Sequence, residues 1–399
     1  MNKSDILIVG AGIIGMSTAY QLSLINPDKK IIVIDKEDRA AKHQTGHNSG
    51  VIHSGIYYSP GSYKALFAKS GSASMIEFCK QHNIPYNQCG KVIVATEEAE
   101  VERMKNLYQR GLENGLDVEL LDGEYVRKIE PYVNAVAGIH VKNTGIVDYS
   151  KVTEKFGELF QKNGGEIQYN NEVLEIEKDD DGLRVKTNIE TFDTKYLVNC
   201  AGLYSDKLAK LSGVKTDVKI IPFRGEYFKL SENTEKYVKT LIYPVPNPEL
   251  PFLGVHFTNM ISGGVDVGPN AVLGFKKEAY KKIGFDKKET FEILSFKGLY
   301  KMGLKNIKEG IGEYYRSFNK QAFVKAAKKL IPLIEASDLT PMEAGVRAQA
   351  MKEDGSMVDD FYFEETSNSI HVLNAPSPAA TCSIEIGKEI AKRFNERFL

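Results

Sequence analysis

"DILIVGAGIIGMSTAYQL", residues 5–22, decides how the rest of the chain is read. Its opening "DILIVG" (5–10) is a short apolar run, the signature of a parallel strand buried on both faces. The run passes into Gly10-Ala11-Gly12-Ile13-Ile14-Gly15 and then into the helical "MSTAYQLSLIN" (16–26). A second strand, "KKIIVIDKE" (29–37), carries Asp35, 20 residues past Gly15. Each feature has a mechanical reason. Gly10 permits a tight turn, Gly12 lets backbone approach a pyrophosphate, and Gly15 allows a helix to pack closely on a strand. The helix N-terminus offers unpaired N–H groups and a positive dipole end to phosphates. A carboxylate at Asp35 can accept both ribose hydroxyls. The stretch therefore predicts an α/β, Rossmann-like dinucleotide-binding unit.

Working outward, 399 residues suffice for two domains, or for one large α/β domain with an inserted lobe. A net charge of −1 leaves no global field to recruit nucleic acid. Cys79, Cys89, Cys200 and Cys382 show no CxxC spacing and no disulfide framework, which fits a reducing compartment and argues against a zinc site; no metal is expected. The apolar stretch from Ile6 to Met16 lacks a strong basic leader and is interrupted by glycines, so it reads as strand and turn. No run of about 18 apolar residues exists to span a membrane, and a cytoplasmic protein is the expectation.

Past the first unit, "HQTGHNSGVIHSGIYYSPGS" (43–62) packs three histidines, two tyrosines and four glycines into a stretch unlike a further strand and helix. That departure favours FAD over NAD, since the extended body of FAD must be covered further along the chain.

Three blocks carry a closer likeness: "TGHNSGVIHSGIYY" (45–58), "GVRAQ" (345–349) and "NAPSPAAT" (374–381). With the glycine fingerprint, they make the chain resemble the D-amino-acid oxidase-like group of FAD-dependent oxidoreductases. Within that group it looks most like the L-2-hydroxyglutarate oxidases and dehydrogenases, essentially from end to end. The resemblance implies a glutathione-reductase-like FAD domain in three pieces, 1–80, 146–224 and 338–399. It also implies a second α+β substrate lobe on an antiparallel sheet, from 81–145 and 225–337. FAD contacts are implied at Gly10, Gly12, Gly15, Asp35, Lys36, Asn48, Ser49, Gly50 and Val51. Val173 would receive the adenine, Ala201 and Gly202 would pass close to the dinucleotide, and Pro378, Ala379, Ala380 and Thr381 would face the flavin. Pro376 and Pro378 favour extended backbone there, and Ser377 and Thr381 are candidate caps for an amphipathic helix over 382–398. Its N-terminus would stabilise negative charge on reduced flavin.

Oxidising a 2-hydroxy acid needs a base for the hydroxyl proton, a hydride acceptor and cations for the carboxylate. Of seven histidines, His53 lies in the block that the resemblance sets against the flavin, and His256 in "GVHFT" lies on a strand expected to face the substrate. Arg347, flanked by small residues, is the candidate carboxylate fork; Arg224 is an alternative, or a structural ion pair. Tyr57, Tyr58 and Tyr243 are candidate cavity hydroxyls. The implied substrate is a small 2-hydroxy dicarboxylate, with a quinone or oxygen as acceptor. Amine oxidases, glycerol-3-phosphate dehydrogenase-like enzymes and a non-catalytic FAD-bound assembly protein are the competing readings. Residues 276–329 hold fifteen Lys and Arg against six Asp and Glu, interleaved with aromatics. The segment reads as a solvated basic helical hairpin or as a face for anionic membrane, at the inner side of the cell membrane.

Overall fold

The computed structural model describes residues 2–179, 182–247, 254–305 and 307–399. Its first sheet is parallel at the centre. Strand Asn2–Val9 lies between Ile31–Ile34 and Thr191–Asn199, and Glu166–Gln168 extends the sheet beyond Ile31–Ile34. The continuous apolar run in the first strand follows from burial on both faces. Ile6 and Ile8 belong to one core with Ile31, Val33 and Val198, whereas Leu7 and Val9 belong to another with Ile32, Ile34 and Leu197. Fully burying each such aliphatic contributes roughly 1.5–3 kcal/mol, so neither face can carry polar residues cheaply.

Strand Thr191–Asn199 forks. Its first half pairs with the hairpin strand Gly182–Thr187, and its last three residues pair in parallel with Ser369–Asn374. The C-terminal segment thus joins the sheet beside Thr191–Asn199, one strand removed from the first. Helix Ser383–Phe398 then packs on helix Ile13–Ile25, where the Ser17 hydroxyl donates to the Ser383 carbonyl at 2.7 Å. This topology sends the C-terminal ends of four parallel strands toward one edge. Val9 leads to Gly10, Ile34 to Asp35, Asn199 to Ala201 and Asn374 to Ala375. Ligands of open α/β sheets bind beyond such strand ends.

The second lobe rests on an eight-stranded, mainly antiparallel sheet. Its order runs from Leu339–Pro341 through Phe228–Leu230, Val265–Gly268, His256–Asn259, Leu241–Pro244, Lys91–Ala95 and Ala137–Val141 to Val118–Asp122. The edge strand Leu339–Pro341 lies just past the expected lobe boundary at residue 337. A three-stranded sheet of Val272–Leu273, Val218–Gly225 and Gly345–Lys352 pairs Phe223 with Arg347.

The basic segment is not a hairpin. It contains four helices, Lys287–Leu294, Lys297–Lys305, Ile307–Phe318 and Lys320–Leu330, with residue 306 outside the described residues. The last helix buries Phe323, Val324, Ala327 and Leu330 in the lobe core, so its apolar stripe is structural. Lys277 is also internal: its ammonium is buried and lies 2.7 Å from Asp206 Oδ1.

Candidate active site

One cavity of about 900 Å³ runs along the strand ends and into the interface with the lobe. It is large for a small-molecule site, which typically measures roughly 300–1,000 Å³. Of the sequence candidates for cofactor and catalysis, Gly15, Gly50 and the alternative fork Arg224 do not line it. Gly15 serves instead at the helix–strand contact, and Gly50, at φ +65°, turns the loop that carries its neighbours.

At one end, Asp35 Oδ2 accepts the Ala11 N–H at 2.6 Å and Oδ1 accepts the Glu37 N–H at 2.9 Å. The carboxylate is thereby held beside the glycine turn. The Lys36 ammonium bonds Glu37 at 2.6 Å and Glu278 at 2.5 Å, and His43 joins Glu37 at 2.9 Å. Lys36 lines the cavity, yet its charge is spent within this network. Val173, Ala201 and Gly202 line the same region.

Helix Ile13–Ile25 begins at Gly12 with no side-chain cap and no acidic residue in its first turn, leaving its positive end open to the cavity. Thr45, absent from the sequence candidates, accepts the Ile13 N–H at 3.1 Å. No local signal marks it, because the contact joins residues 32 apart. Asn48 spends its amide on the Gln44 and Thr45 carbonyls and accepts the Gly50 N–H, stapling the loop. A helix N-terminus that faces the cavity with no acidic residue in its first turn, an acidic residue at the second strand end and a long cleft between them suit a dinucleotide.

The 374–382 block differs from its expected form. Residues 376–382 wind as a turn, with Ala379 N–H bonding the Pro376 carbonyl and Cys382 N–H the Pro378 carbonyl. Neither Ser377 nor Thr381 caps the final helix, whose N-cap is Cys382 without a side-chain bond. The Thr381 hydroxyl instead accepts the His53 N–H at 3.0 Å and bonds the Val51 carbonyl and the Tyr149 hydroxyl. A buried hydroxyl is worth more as a tie between two distant loops than as a cap exposed to solvent. Thr381 and Tyr149 together fix the backbone of Val51 and His53 against the C-terminal block.

At the lobe end, His53, His256, Arg347, Tyr57, Tyr58 and Tyr243 line the cavity, joined by Tyr227, which the sequence did not mark. No hydrogen bond engages the His53 ring among the described residues, and burial pushes its pKa down to about 3, helped by Lys91, His256 and Arg347. His256 is likewise pushed to about 3, mainly by burial. Its Nδ1 donates to the Gly254 carbonyl at 3.0 Å, so Nε2 of the neutral ring is an acceptor. Both imidazoles are thus in the form that can take a proton. Arg224 has a different role: its buried guanidinium lies 2.6 Å from Glu226 Oε1, and it does not line the cavity. His371 is also structural, buried between Asn199 and Ser369.

The chain matches the family described as FAD dependent oxidoreductase over residues 5–393. It is 49% identical to the L-2-hydroxyglutarate dehydrogenase of Indibacter alkaliphilus, covering 99% of each chain. It is 45% identical to the mitochondrial L-2-hydroxyglutarate dehydrogenase of Caenorhabditis elegans, over 99% of this chain and 94% of that one. Among solved structures it superposes on the L-alpha-glycerophosphate oxidase of Mycoplasma pneumoniae with FAD bound. That likeness has a TM-score of 0.81 and 28% identity, and it covers 99% of this chain and 95% of the other.

Proposed function

The chain belongs to the FAD-dependent oxidoreductase family, and from that premise we propose that it oxidises L-2-hydroxyglutarate to the 2-oxo acid. The observation that carries this reading is the meeting of two neutral imidazoles and a guanidinium at the lobe end of a dinucleotide cavity. FAD, when bound along Gly12, Asp35, Val173, Gly202 and the 378–381 turn, supplies the acceptor for the hydride from C2. His53 takes the hydroxyl proton, and Arg347 holds the carboxylate beside C2. The two loops that Thr381 and Tyr149 tie together keep His53 in place. The division into an FAD domain (1–80, 146–224, 338–399) and a substrate lobe (81–145, 225–337) remains our proposal for how these roles are shared.

Anaerobic titration of the yellow protein tests the reaction. L-2-hydroxyglutarate should bleach the flavin, while glycine, sarcosine and glycerol 3-phosphate should not. Bleaching by an amine or by the phosphate ester, and not by the hydroxy acid, would move the enzyme to another branch of the fold.

Arg347→Met should weaken substrate binding roughly 30-fold or more, the loss expected for one desolvated charge pair. Arg347→Lys should recover only part of it, because an ammonium cannot reproduce the fork. Wild-type affinity in both variants, measured by the substrate dependence of flavin reduction, would make Arg347 structural.

For the acceptor we propose a membrane quinone. Support comes from the 276–329 segment, where Ile283, Phe291, Leu304 and Phe318 are 92%, 74%, 74% and 72% exposed amid the cationic excess. No helix among the described residues is long and apolar enough to cross a membrane, so contact would be at the surface. Each basic residue near an anionic surface contributes about 1 kcal/mol. The protein should sediment with anionic liposomes at low salt and leave them at high salt. Changing the exposed Lys281, Lys287 and Lys288 to Gln should abolish sedimentation and spare flavin reduction. Lys282 is a poor choice for this test, because its ammonium bonds the Ser317 carbonyl. Wild-type protein that ignores anionic liposomes at low salt would leave oxygen as the acceptor to pursue.

A further inference from the structure

Behind two rings that line the lobe end of the cavity lies a cation that the proton transfer does not use. Lys91 opens strand Lys91–Ala95 and is 1% exposed. Backbone pairing with Leu241 and Val141 sets it there. Its Nζ lies 4.6 Å from the Tyr57 ring centroid and 5.0 Å from that of Tyr243, so the ammonium sits against two aromatic rings. No carboxylate lies within 4.0 Å of it among the described residues, and no hydrogen bond engages it. Cation–π attraction offsets only part of the cost of burying a charge without an anion. A group kept at such a cost beside a cavity is a candidate for function.

Its surroundings say which function. Both rings line the cavity, and the Tyr57 hydroxyl is a buried donor with no partner. The Tyr243 ring stacks on His256, with centroids 4.0 Å apart. Lys91 and Arg347 both act electrostatically on His53 and on His256, and no carboxylate does. This end of the cavity therefore feels two basic side chains, of which Lys91 has no carboxylate beside it among the described residues.

We propose that Lys91 is a positioning residue that selects dicarboxylates: from behind Tyr57 and Tyr243, its ammonium attracts the second carboxylate while Arg347 holds the first. The Tyr57 hydroxyl is the donor available to that carboxylate on the same wall. This inference rests on the hydroxy-acid reading above.

Titration supplies an independent signature. Burial pushes the Lys91 amine down to about 7. Around it, His53 and His256 are pushed to about 3, and the Tyr57 and Tyr243 hydroxyls are pushed up; the Arg347 guanidinium faces both imidazoles. Lys91 is thus the member of this cluster that gains or loses its proton near neutrality. Its charge fades as pH rises through about 7, and the preference for a dianion should fade with it.

The test uses unreactive acids, so that it does not depend on turnover. FAD-loaded wild type, Lys91→Met and Lys91→Gln are titrated with glutarate and with valerate, following flavin absorbance. Wild type should favour glutarate, and Lys91→Met should lose that preference by on the order of 30-fold, as expected for a unit charge acting across an aromatic wall. Valerate affinity should stay within about twofold, because it has no second carboxylate for the charge to act on. The wild-type preference should decline between pH 6 and pH 8.5, and that of Lys91→Met should be flat. Equal losses for both acids, no loss for either, or a wild type indifferent to the second carboxylate would each overturn the proposal. If neither variant folds, the wild-type pH series decides. A wild type that prefers glutarate yet is not reduced by L-2-hydroxyglutarate would defeat the reaction assigned above while leaving the role of Lys91 standing.

Discussion

His53→Ala should retain FAD and slow anaerobic flavin reduction by roughly two to four orders of magnitude, the usual range for removing a general base. Retention is expected because the His53 tie to Thr381 runs through its backbone N–H, which alanine keeps. The wild-type pH profile adds a second expectation. With the imidazole pushed down to about 3, His53 is neutral in the free enzyme across the physiological range. Protonation removes the base only at much lower pH, so kcat/KM should show no acid limb near 6.5, where an ordinary histidine would place one. In the substrate complex, a bound carboxylate offsets the positive charges of Lys91 and Arg347 and raises the imidazole, which strengthens the base when it is needed. Stopped-flow reduction of His53→Ala at a rate near wild type would transfer the role to His256, whose Nε2 is also an acceptor.

What could be read along the chain was whatever local periodicity and spacing encode. The strand, glycine turn, helix and Asp35 follow one another within 31 residues, and each has a backbone reason to be there. His53, His256 and Arg347 were legible by chemistry and by likeness, and the fold brings all three to one cavity. Residues whose value lies in a distant partner were not legible. Thr45 serves the first helix, and Tyr149 reaches Thr381 across 232 positions. Lys91 looks in sequence like a solvated charge at the start of a strand; it is buried because that strand lies between Leu241–Pro244 and Ala137–Val141, with the Tyr57 and Tyr243 rings over its ammonium. The same limit explains the errors. Thr381 was read as a local cap because its partners at Val51 and His53 lie more than 300 residues away. In the basic stretch, charge density suggests a solvated hairpin or a membrane face and hides the buried stripe of Lys320–Leu330, which makes its last helix part of the lobe core.

The glycine fingerprint itself divides into two kinds of position, and two alanine variants should separate them. In Gly15→Ala the new Cβ would stand 1.8 Å from the Gly10 carbonyl oxygen and 3.3 Å from the Cys200 side chain. Both obstacles belong to the packed junction of helix and sheet, and a backbone carbonyl cannot swing aside as a side-chain tip can. Ordinary overpacking costs about 1–3 kcal/mol, and a clash this deep with backbone should exceed it. Gly15→Ala is therefore expected to be insoluble or to unfold far below wild type, with or without added FAD. Gly12 is different. Its φ of −75° suits any residue, and a Cβ there would meet only the Thr45 hydroxyl, at 3.5 Å. Gly12→Ala should fold with near-normal thermal stability in the absence of cofactor. Its methyl would nevertheless occupy the open N-terminus of helix Ile13–Ile25, where a pyrophosphate must come close to backbone N–H groups. Losing one such charge-assisted bond costs roughly 10- to 100-fold in affinity, and a branched side chain in Gly12→Val should cost more. Calorimetric titration with FAD and thermal unfolding of the same samples give the two readouts. Wild-type FAD affinity in Gly12→Ala would place the cofactor elsewhere than on this turn. Normal unfolding of Gly15→Ala would mean that the helix can retreat from the sheet, and the fingerprint would then lose its structural half.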